Sequence, residues 1–214
     1  MFKIFLLTCS DGRVDPASVL NIDTKDIFYI RTPGASTSSV SRKDNYITEK
    51  AGLTFAILDL NIRKIVVLSH HDCRAHKSLI MVSNGEINKT SSGEFYLAQC
   101  LKQRGYENPH MELRLRQKTE CEGMEHCELG FDQMIEYKEF PTIDRDRLCM
   151  DTLKGGLLSL SRLRSMCKEI LSEISNEDLN KIKESGNKIS FELVYDDLNN
   201  KTHQIFEMPE IIVK

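Results

Sequence analysis

Three short apolar runs, each with the length and composition of a buried strand, mark the first third of the chain. They cover residues 2–8, 26–31 and 64–69. The second run stops at Thr32-Pro33-Gly34, which is a strong turn signal. Between the second and third runs, residues 46–60 carry apolar positions dense enough for a mostly buried helix. Apolar strands that alternate with helices predict a parallel sheet covered on both faces.

More elements follow after the first seventy residues. Helices are predicted over 94–104, 151–174 and 176–185. The long second helix has Asp151 as its predicted N-cap. Apolar strands over 189–195 and 202–208, joined by a polar turn at 196–201, predict a hairpin near the end of the chain.

The middle of the chain lacks a clear pattern. Residues 108–146 carry many charges, two cysteines and little clean periodicity. We therefore interpret the protein as a single α/β domain over residues 1–214 with an insertion at about 104–147. This division agrees with the usual size of one domain.

Composition excludes several classes of protein. The 29 basic and 32 acidic residues give a net charge of −3, which argues against a general nucleic-acid binder. No apolar run approaches the length of a membrane span. The beginning of the chain lacks the apolar region and cleavage site of a secretory signal. A soluble cytoplasmic protein is expected.

Cysteine usage points to chemistry. The chain has seven cysteines, an odd number for a disulfide framework in a protein that shows no secretory signal. Metal binding or catalysis is therefore the better explanation for at least some of them.

Two polar clusters follow the first and third predicted strands. They are Cys9-x-Asp11-x-Arg13 and His70-x-x-Cys73. Ligands collect at the carboxyl ends of parallel strands, so the clusters meet if these strands are neighbours. Two thiolates and an imidazole suit zinc, and three protein ligands leave one coordination position open, as in catalytic sites.

Other interpretations of these clusters are weaker. Cysteines are often buried, so Cys9 and Cys73 taken singly could be core thiols. A phosphatase loop needs a longer interval between Cys9 and Arg13, and Asp11 would repel phosphate. A redox dithiol usually has the spacing Cys-x-x-Cys, which does not occur here.

The residues around both clusters carry a family resemblance. The segment CSDGRVDPASVL at 9–20, followed by DIFYIRTPG at 26–34, resembles a β-class carbonic anhydrase, and so does IVVLSHHDC at 65–73. The similarity is specific over residues 3–75, weak through the middle, and faint again at 191–206. It implies a three-layer α-β-α fold with a mainly parallel central sheet.

The resemblance also implies a site and an activity. Cys9, His70 and Cys73 would bind zinc as the cofactor. Asp11 would accept a hydrogen bond from the zinc-bound water or hydroxide, and Arg13 would fix the Asp11 rotamer and keep it ionised. The zinc-bound hydroxide would attack carbon dioxide, so the implied enzyme is a lyase that reversibly hydrates carbon dioxide to bicarbonate. The implied assembly is a homodimer or a dimer of dimers, without nucleic-acid or membrane partners.

Some residues depart from the family pattern. Arg74 stands where the family usually has glycine, and the run at 31–35 lacks two asparagines. Arg74 either blocks the pocket or points to solvent. Two alternatives therefore stay open: a related hydrolase of carbon disulfide or carbonyl sulfide, and a catalytically weak zinc-binding regulatory homologue.

A few further residues have side chains that can transfer protons or bind metal. His71 and His76 flank the site and are either proton shuttles or ordinary structural histidines. Cys121, His126 and Cys127 suggest a second metal site, but their spacing fits no zinc motif. The remaining cysteines lie in helical patterns and are interpreted as core residues: Cys100, Cys149 and Cys167.

Overall fold

A computed structural model describes residues 2–38, 48–87, 92–106, 147–198 and 202–213 of the chain, without the side chains of 147–151 and 202. The strands are β1 (Ile4–Cys9), β2 (Ile27–Thr32), β3 (Lys64–His70), β4 (Lys188–Asp197) and β5 (Thr202–Ile212). Their order across the sheet is β2-β1-β3-β4-β5. The first four strands are parallel, and β5 pairs antiparallel with β4. The mainly parallel sheet and the hairpin between the last two strands are both confirmed.

The helices surround this sheet. They are α1 (Pro16–Leu20), α2 (Thr48–Leu58), α3 (Arg74–Ser83), α4 (Gly93–Gln103), α5 (Arg147–Glu173) and α6 (Asn176–Glu184). Short helical turns lie over Thr24–Asp26 and Pro33–Ala35. No helix among the described residues is long and apolar enough to cross a membrane.

The predicted start of the longest helix is wrong. Helix α5 begins at Arg147, so Asp151 lies inside the helix and does not cap it. Arginine, leucine and methionine stand among the four residues that precede Asp151. These residue types favour helix, so the helix extends past a residue that could have capped it.

Two helices have no counterpart in the sequence prediction. Helix α1 is only five residues long, yet it has local signals: Pro16 at its first position and an Asp15 side chain that accepts from the Ala17 N–H. Helix α3 starts directly after Cys73. Its buried face mixes polar and apolar residues, including His76, so it shows no simple apolar period.

Both faces of the sheet are apolar, which explains the continuous apolar runs. On one face, residues such as Phe5 and Leu7 pack in a cluster that includes residues of α2, α5 and α6. On the other, Ile4 and Leu6 pack with Val14 and with residues of α1 and the segment after it. Side chains alternate between the two faces along a strand, so covering both requires every position to be apolar.

Candidate metal centre

The candidate metal centre lies at the carboxyl ends of two neighbouring strands. Strand β1 ends at Cys9, and β3 ends at His70. Cys73 follows β3 and occupies the N-cap position of α3. Because β1 and β3 are paired in parallel, their carboxyl ends lie side by side. The ligand atoms of Cys9, His70 and Cys73 all lie within 4.8 Å of one another, and these three residues are buried.

The three side chains fit a zinc ion. The Nδ1 atom of His70 lies 2.8 Å from the His71 carbonyl oxygen, to which it can donate its proton. Nε2 then carries the free lone pair, and it is buried without a hydrogen-bond partner. An imidazole nitrogen oriented by a backbone carbonyl, beside two sulfur atoms, is a donor set that zinc prefers.

The two thiols influence each other. Their Sγ atoms are 3.9 Å apart. The Cys73 thiol, assisted by His70, lowers the pKa of Cys9 to about 4 against the effect of burial. The pKa of Cys73 is raised, first by its interaction with Cys9 and then by burial. The pair therefore favours ionisation of the Cys9 sulfur, and thiolate is the form that ligates metals.

A backbone group also supports Cys9. The Gly34 N–H donates to Cys9 Sγ at 3.3 Å. In the strand that precedes this loop, Arg31 Nη1 donates to the Cys9 carbonyl oxygen at 3.2 Å. The loop lacks the two asparagines of the family pattern, yet it still reaches the first cysteine of the site. Sequence reasoning missed these contacts, because Pro33-Gly34 signals a turn without showing where the turn folds back.

Asp11 and Arg13 form a two-pronged ion pair beside the thiols. Arg13 Nε lies 3.0 Å from Asp11 Oδ1, and Arg13 Nη2 lies 2.6 Å from Asp11 Oδ2. The Arg13 backbone N–H also donates to Oδ1, at 3.0 Å. The hydrogen bonds from Arg13 lower the pKa of Asp11 to about 2, so the carboxylate stays ionised.

Arg13 also links the two halves of the site. Its Nη2 donates to the Asp72 carbonyl oxygen at 3.0 Å, and its Nη1 lies 3.4 Å from Asp72 Oδ2. Asp72 precedes Cys73 and has a φ of 51°, an unusual value for a residue other than glycine. No sequence signal marks this role, since it depends on the distance between the loops after β1 and β3.

Arg74 points away from the centre. Its side chain is 71% exposed, and Nη2 lies 2.5 Å from Glu94 Oε1 at the start of α4. This arrangement supports the solvent-pointing alternative, because a long arginine stem carries its charge outward.

The other predicted residues are distributed differently. His76 is buried, and burial lowers the pKa of its imidazole, so it is poorly placed as a proton shuttle. The His71 backbone N–H donates to the Asp196 carbonyl oxygen. Cys167 is buried in the main core and Cys100 is half-buried. The remaining predicted residues lie outside the described part of the chain, or have side chains outside it: Cys121, His126, Cys127 and Cys149.

Comparison with known proteins identifies the family. A family model described as carbonic anhydrase matches residues 4–129, which is more than half of the chain. The chain belongs to the β-carbonic anhydrase family. The match continues well beyond residues 3–75, where the motifs resemble the family most clearly.

Curated relatives of this family member align over shorter stretches. A carbonic anhydrase of Synechocystis sp. is 30% identical over 82 residues, which are 38% of this chain and 29% of that protein. Beta carbonic anhydrase 3 of Arabidopsis thaliana is 28% identical over 99 residues, 46% of this chain and 38% of that protein. The aligned part thus spans well under half the length of these relatives.

Solved structures share the fold over nearly the whole chain. A tetrameric β-carbonic anhydrase of Sordaria macrospora superposes with a TM-score of 0.55 at 16% identity, covering 95% of this chain and 80% of that one. For the β-carbonic anhydrase CafA of Aspergillus fumigatus the values are 0.51 and 15%, with 96% and 75% covered. At such identities the superpositions show the α/β fold alone.

Proposed function

We propose that this chain is a zinc-dependent lyase of the β-carbonic anhydrase class, which reversibly hydrates carbon dioxide to bicarbonate. The observation that carries the proposal is the convergence of Cys9, His70 and Cys73 next to the Asp11–Arg13 ion pair. A site with only a structural role would not need an ionised carboxylate held in a fixed orientation beside its metal ligands.

Cys9, His70 and Cys73 would hold the zinc ion. When bound, zinc supplies a positive charge that makes a coordinated water acidic enough to lose a proton near neutral pH. Three protein ligands leave a coordination position for that water. The ion pair then has to orient the water or hydroxide toward the substrate.

Asp11 is suited to this orienting task. An ionised carboxylate has about four acceptor positions on its two oxygens. Three N–H groups of Arg13, namely the backbone N–H, Nε and Nη2, occupy acceptor positions of Asp11. The remaining capacity lets Asp11 accept one hydrogen bond from the nucleophilic water. Arg13 prevents the carboxylate from rotating, since a bidentate pair fixes its plane.

The orientation of Arg74 favours an active enzyme over a weak zinc-binding homologue. The ion pair with Glu94 directs the Arg74 charge into solvent, away from the metal ligands. The strongest departure from the family pattern therefore does not place a positive charge beside the metal ligands. Hydrolysis of carbon disulfide or carbonyl sulfide has no observation of its own in its favour.

We also propose that the chain assembles as a homodimer or a dimer of dimers. In the described residues the outer strands β2 and β5 each have one neighbour, so both edges of the sheet can pair further. The Sordaria macrospora enzyme is tetrameric, which agrees with this proposal. A cytoplasmic location stays a prediction, since another similar protein, beta carbonic anhydrase 5 of Arabidopsis thaliana, is described as chloroplastic.

The central test measures zinc content and carbon dioxide hydration on one sample. We expect about one zinc per chain, by the three-ligand rule for catalytic zinc, and hydration that stopped-flow measurement detects. Cys9→Ser and Cys73→Ser should lose most of the zinc and lower the midpoint of unfolding, because metal binding is coupled to folding. Cys167→Ala, in the main core, is the matched control and should retain its zinc.

Two outcomes would contradict the proposal. Full zinc retention in both serine variants would exclude this ligand set. Zinc binding without any hydration would leave the two alternatives, the hydrolase of carbon disulfide or carbonyl sulfide and the zinc-binding homologue.

A further inference from the structure

The backbone of Gly34 connects the metal centre to a buried histidine. The Gly34 N–H donates to Cys9 Sγ at 3.3 Å. The Gly34 carbonyl oxygen lies 3.2 Å from Nε2 of His76, in the first turn of α3. One residue thus touches a predicted zinc ligand on one side and His76 on the other.

The space and backbone conformation at Gly34 disfavour a side chain there. Its φ of +69° is in the left-handed region, and a Cβ atom would lie 3.0 Å from His76 Nε2. The sequence therefore needs glycine at position 34 both for the turn and for the approach of the imidazole. This close fit keeps the His76 ring directly against the Gly34 backbone.

Helix α5 and Tyr106 confine the His76 ring as well. A Cβ atom on Gly155 would lie only 2.2 Å from His76 Cε1, so α5 leaves space for the ring only because position 155 is glycine. Tyr106 contacts the ring in an edge-to-face arrangement, with the ring centroids 6.2 Å apart. His76 is 3% exposed. A ring confined in this way has little freedom to turn away from Gly34.

We propose that His76 is a positioning residue for the metal centre: by donating from Nε2 to the Gly34 carbonyl, it holds the Gly34 N–H on the Cys9 sulfur. The inference rests on the proposed function in that Cys9 is taken to be a zinc ligand. A hydrogen bond to a thiolate withdraws electron density from the sulfur, so the bond adjusts how strongly Cys9 donates to the metal. Contacts of this kind orient the metal ligands, and their loss usually lowers metal affinity or activity.

This role differs from proton transfer. A shuttle needs contact with solvent and freedom to accept and release a proton. His76 is buried, and its Nε2 is engaged with Gly34. The histidine therefore acts through the loop and does not touch the reacting groups.

The test compares His76→Leu with His76→Gln. Leucine fills space without donating a hydrogen bond, whereas the glutamine Nε2 is separated from Cα by the same number of bonds as the histidine Nε2. His76→Met serves as a second donor-free variant if leucine prevents folding, because methionine adapts to irregular spaces. Zinc affinity is measured by competition with a chromophoric chelator. The thiolate-to-metal charge-transfer band is recorded on the cobalt-substituted protein.

We expect the donor-free variants to bind zinc about 10–100-fold more weakly, the usual cost of losing an outer contact. Their cobalt charge-transfer band should move to lower energy, because a thiolate without a hydrogen bond gives up an electron more easily. His76→Gln should restore both values toward those of the unmodified protein. A general loss of stability would not produce rescue by glutamine.

Ile182→Ala is the matched control for stability. Ile182 is buried in the main core and belongs to α6, away from the Gly34 loop. Its removal should lower the midpoint of unfolding while the cobalt band stays in place. If the control moves the band, or if the donor-free variants leave band and affinity unchanged, the inference is wrong.

The outcomes also separate this inference from the proposed function. An unmodified protein that binds zinc and cobalt but does not hydrate carbon dioxide overturns the proposed function, while the His76 measurements remain decisive for the inference. An unmodified protein that binds neither metal overturns both.

Discussion

Arg13 is the residue that ties the centre together. Two of its side-chain nitrogens donate hydrogen bonds to the Asp11 carboxylate. It also donates to the backbone carbonyl of Asp72, in the loop before Cys73. One planar guanidinium thus orients a carboxylate and joins the loops that follow β1 and β3. Lysine could not reproduce both contacts, because its ammonium group lacks the fixed fork of donors.

Removal of Asp11 should separate metal binding from catalysis. Asp11→Ala is expected to retain zinc but to lose on the order of 10²–10³ in hydration rate, the usual effect of removing a positioned hydrogen-bond partner. Arg13→Ala should act in the same direction, and the double variant should lose less than the product of both effects, since the pair works as a unit. Stopped-flow hydration with zinc analysis measures this. Asp59→Ala, at an exposed position after α2, is the control. Strictly multiplicative losses would show that the two residues act independently.

Replacement of Arg74 is predicted to have little effect on the hydration rate or the zinc content. Its charge is paired with Glu94 at the surface, where ion pairs contribute about 0–1 kcal/mol to stability. Arg74→Gly should therefore leave the hydration rate and zinc content almost unchanged, and Arg74→Ala should do the same with a better helix former at that position. A clear acceleration in both variants would show that the arginine obstructs the pocket.

Among the elements, α5 packs closely on the sheet and on His76 because of two consecutive glycines. Gly155 leaves space for the His76 ring, and Gly156 leaves space for Leu193 of β4 and for Ser69 of β3. In the sequence these glycines only weaken a helical pattern. In the fold they allow a 27-residue helix to lie directly over the sheet and the histidine.

Alanine at these positions should reverse the ordinary effect of a helical Gly→Ala change. In an exposed helix the change gains about 1 kcal/mol, but a Cβ at 155 would lie 2.2 Å from His76 Cε1. We expect Gly155→Ala to lower the unfolding free energy and to weaken zinc binding by displacing His76. In Gly156→Ala the added Cβ would instead clash with Leu193. This variant should lower stability with little effect on zinc affinity. Urea unfolding and chelator competition measure the two quantities. If both variants are more stable than the unmodified protein, the close approach of α5 is not tight.

At the scale of the whole molecule, the two sheet edges differ in their distance from the site. Strand β2 lies next to β1, which carries Cys9, whereas β5 is separated from β3 by β4. In β2, the Phe28 ring contacts those of Phe2 and of Phe55 in α2, and Phe55 is 46% exposed. Exposed aromatic side chains along a free edge strand favour association with a second copy.

The assembly prediction concerns this edge. Tyr29, in the middle of β2, is 43% exposed. Tyr29→Glu should place like charges opposite each other across a paired β2 edge and reduce the mass measured by light scattering to that of a monomer. Ile205→Glu makes the matched change on β5 and should leave at least a dimer. A monodisperse monomer of the unmodified protein at micromolar concentration would contradict the homodimer.

The success of prediction differed between the strands and the helices. The apolar runs that become β1 and β3 could be recognised because both faces of the sheet are covered, so nearly every side chain in them is apolar. The N-terminus of α5 could not be placed, because several helix-favouring residues precede Asp151. The five residues of α1 carry too little periodicity, although its Asp15-Pro16 start is a readable local signal.

The sequence by itself determined the strand ends and the residue types at them: Cys9, Asp11, Arg13, His70 and Cys73. The residues of short segments are sufficient to predict these features, because strand length, turn chemistry and donor type are properties of such segments. Only the tertiary structure decided that the Gly34 N–H meets the Cys9 sulfur, that Arg13 reaches Asp72, and that Gly155 gives space to His76. These contacts join segments far apart in the chain, and their existence depends on how loops and helices pack on the finished sheet.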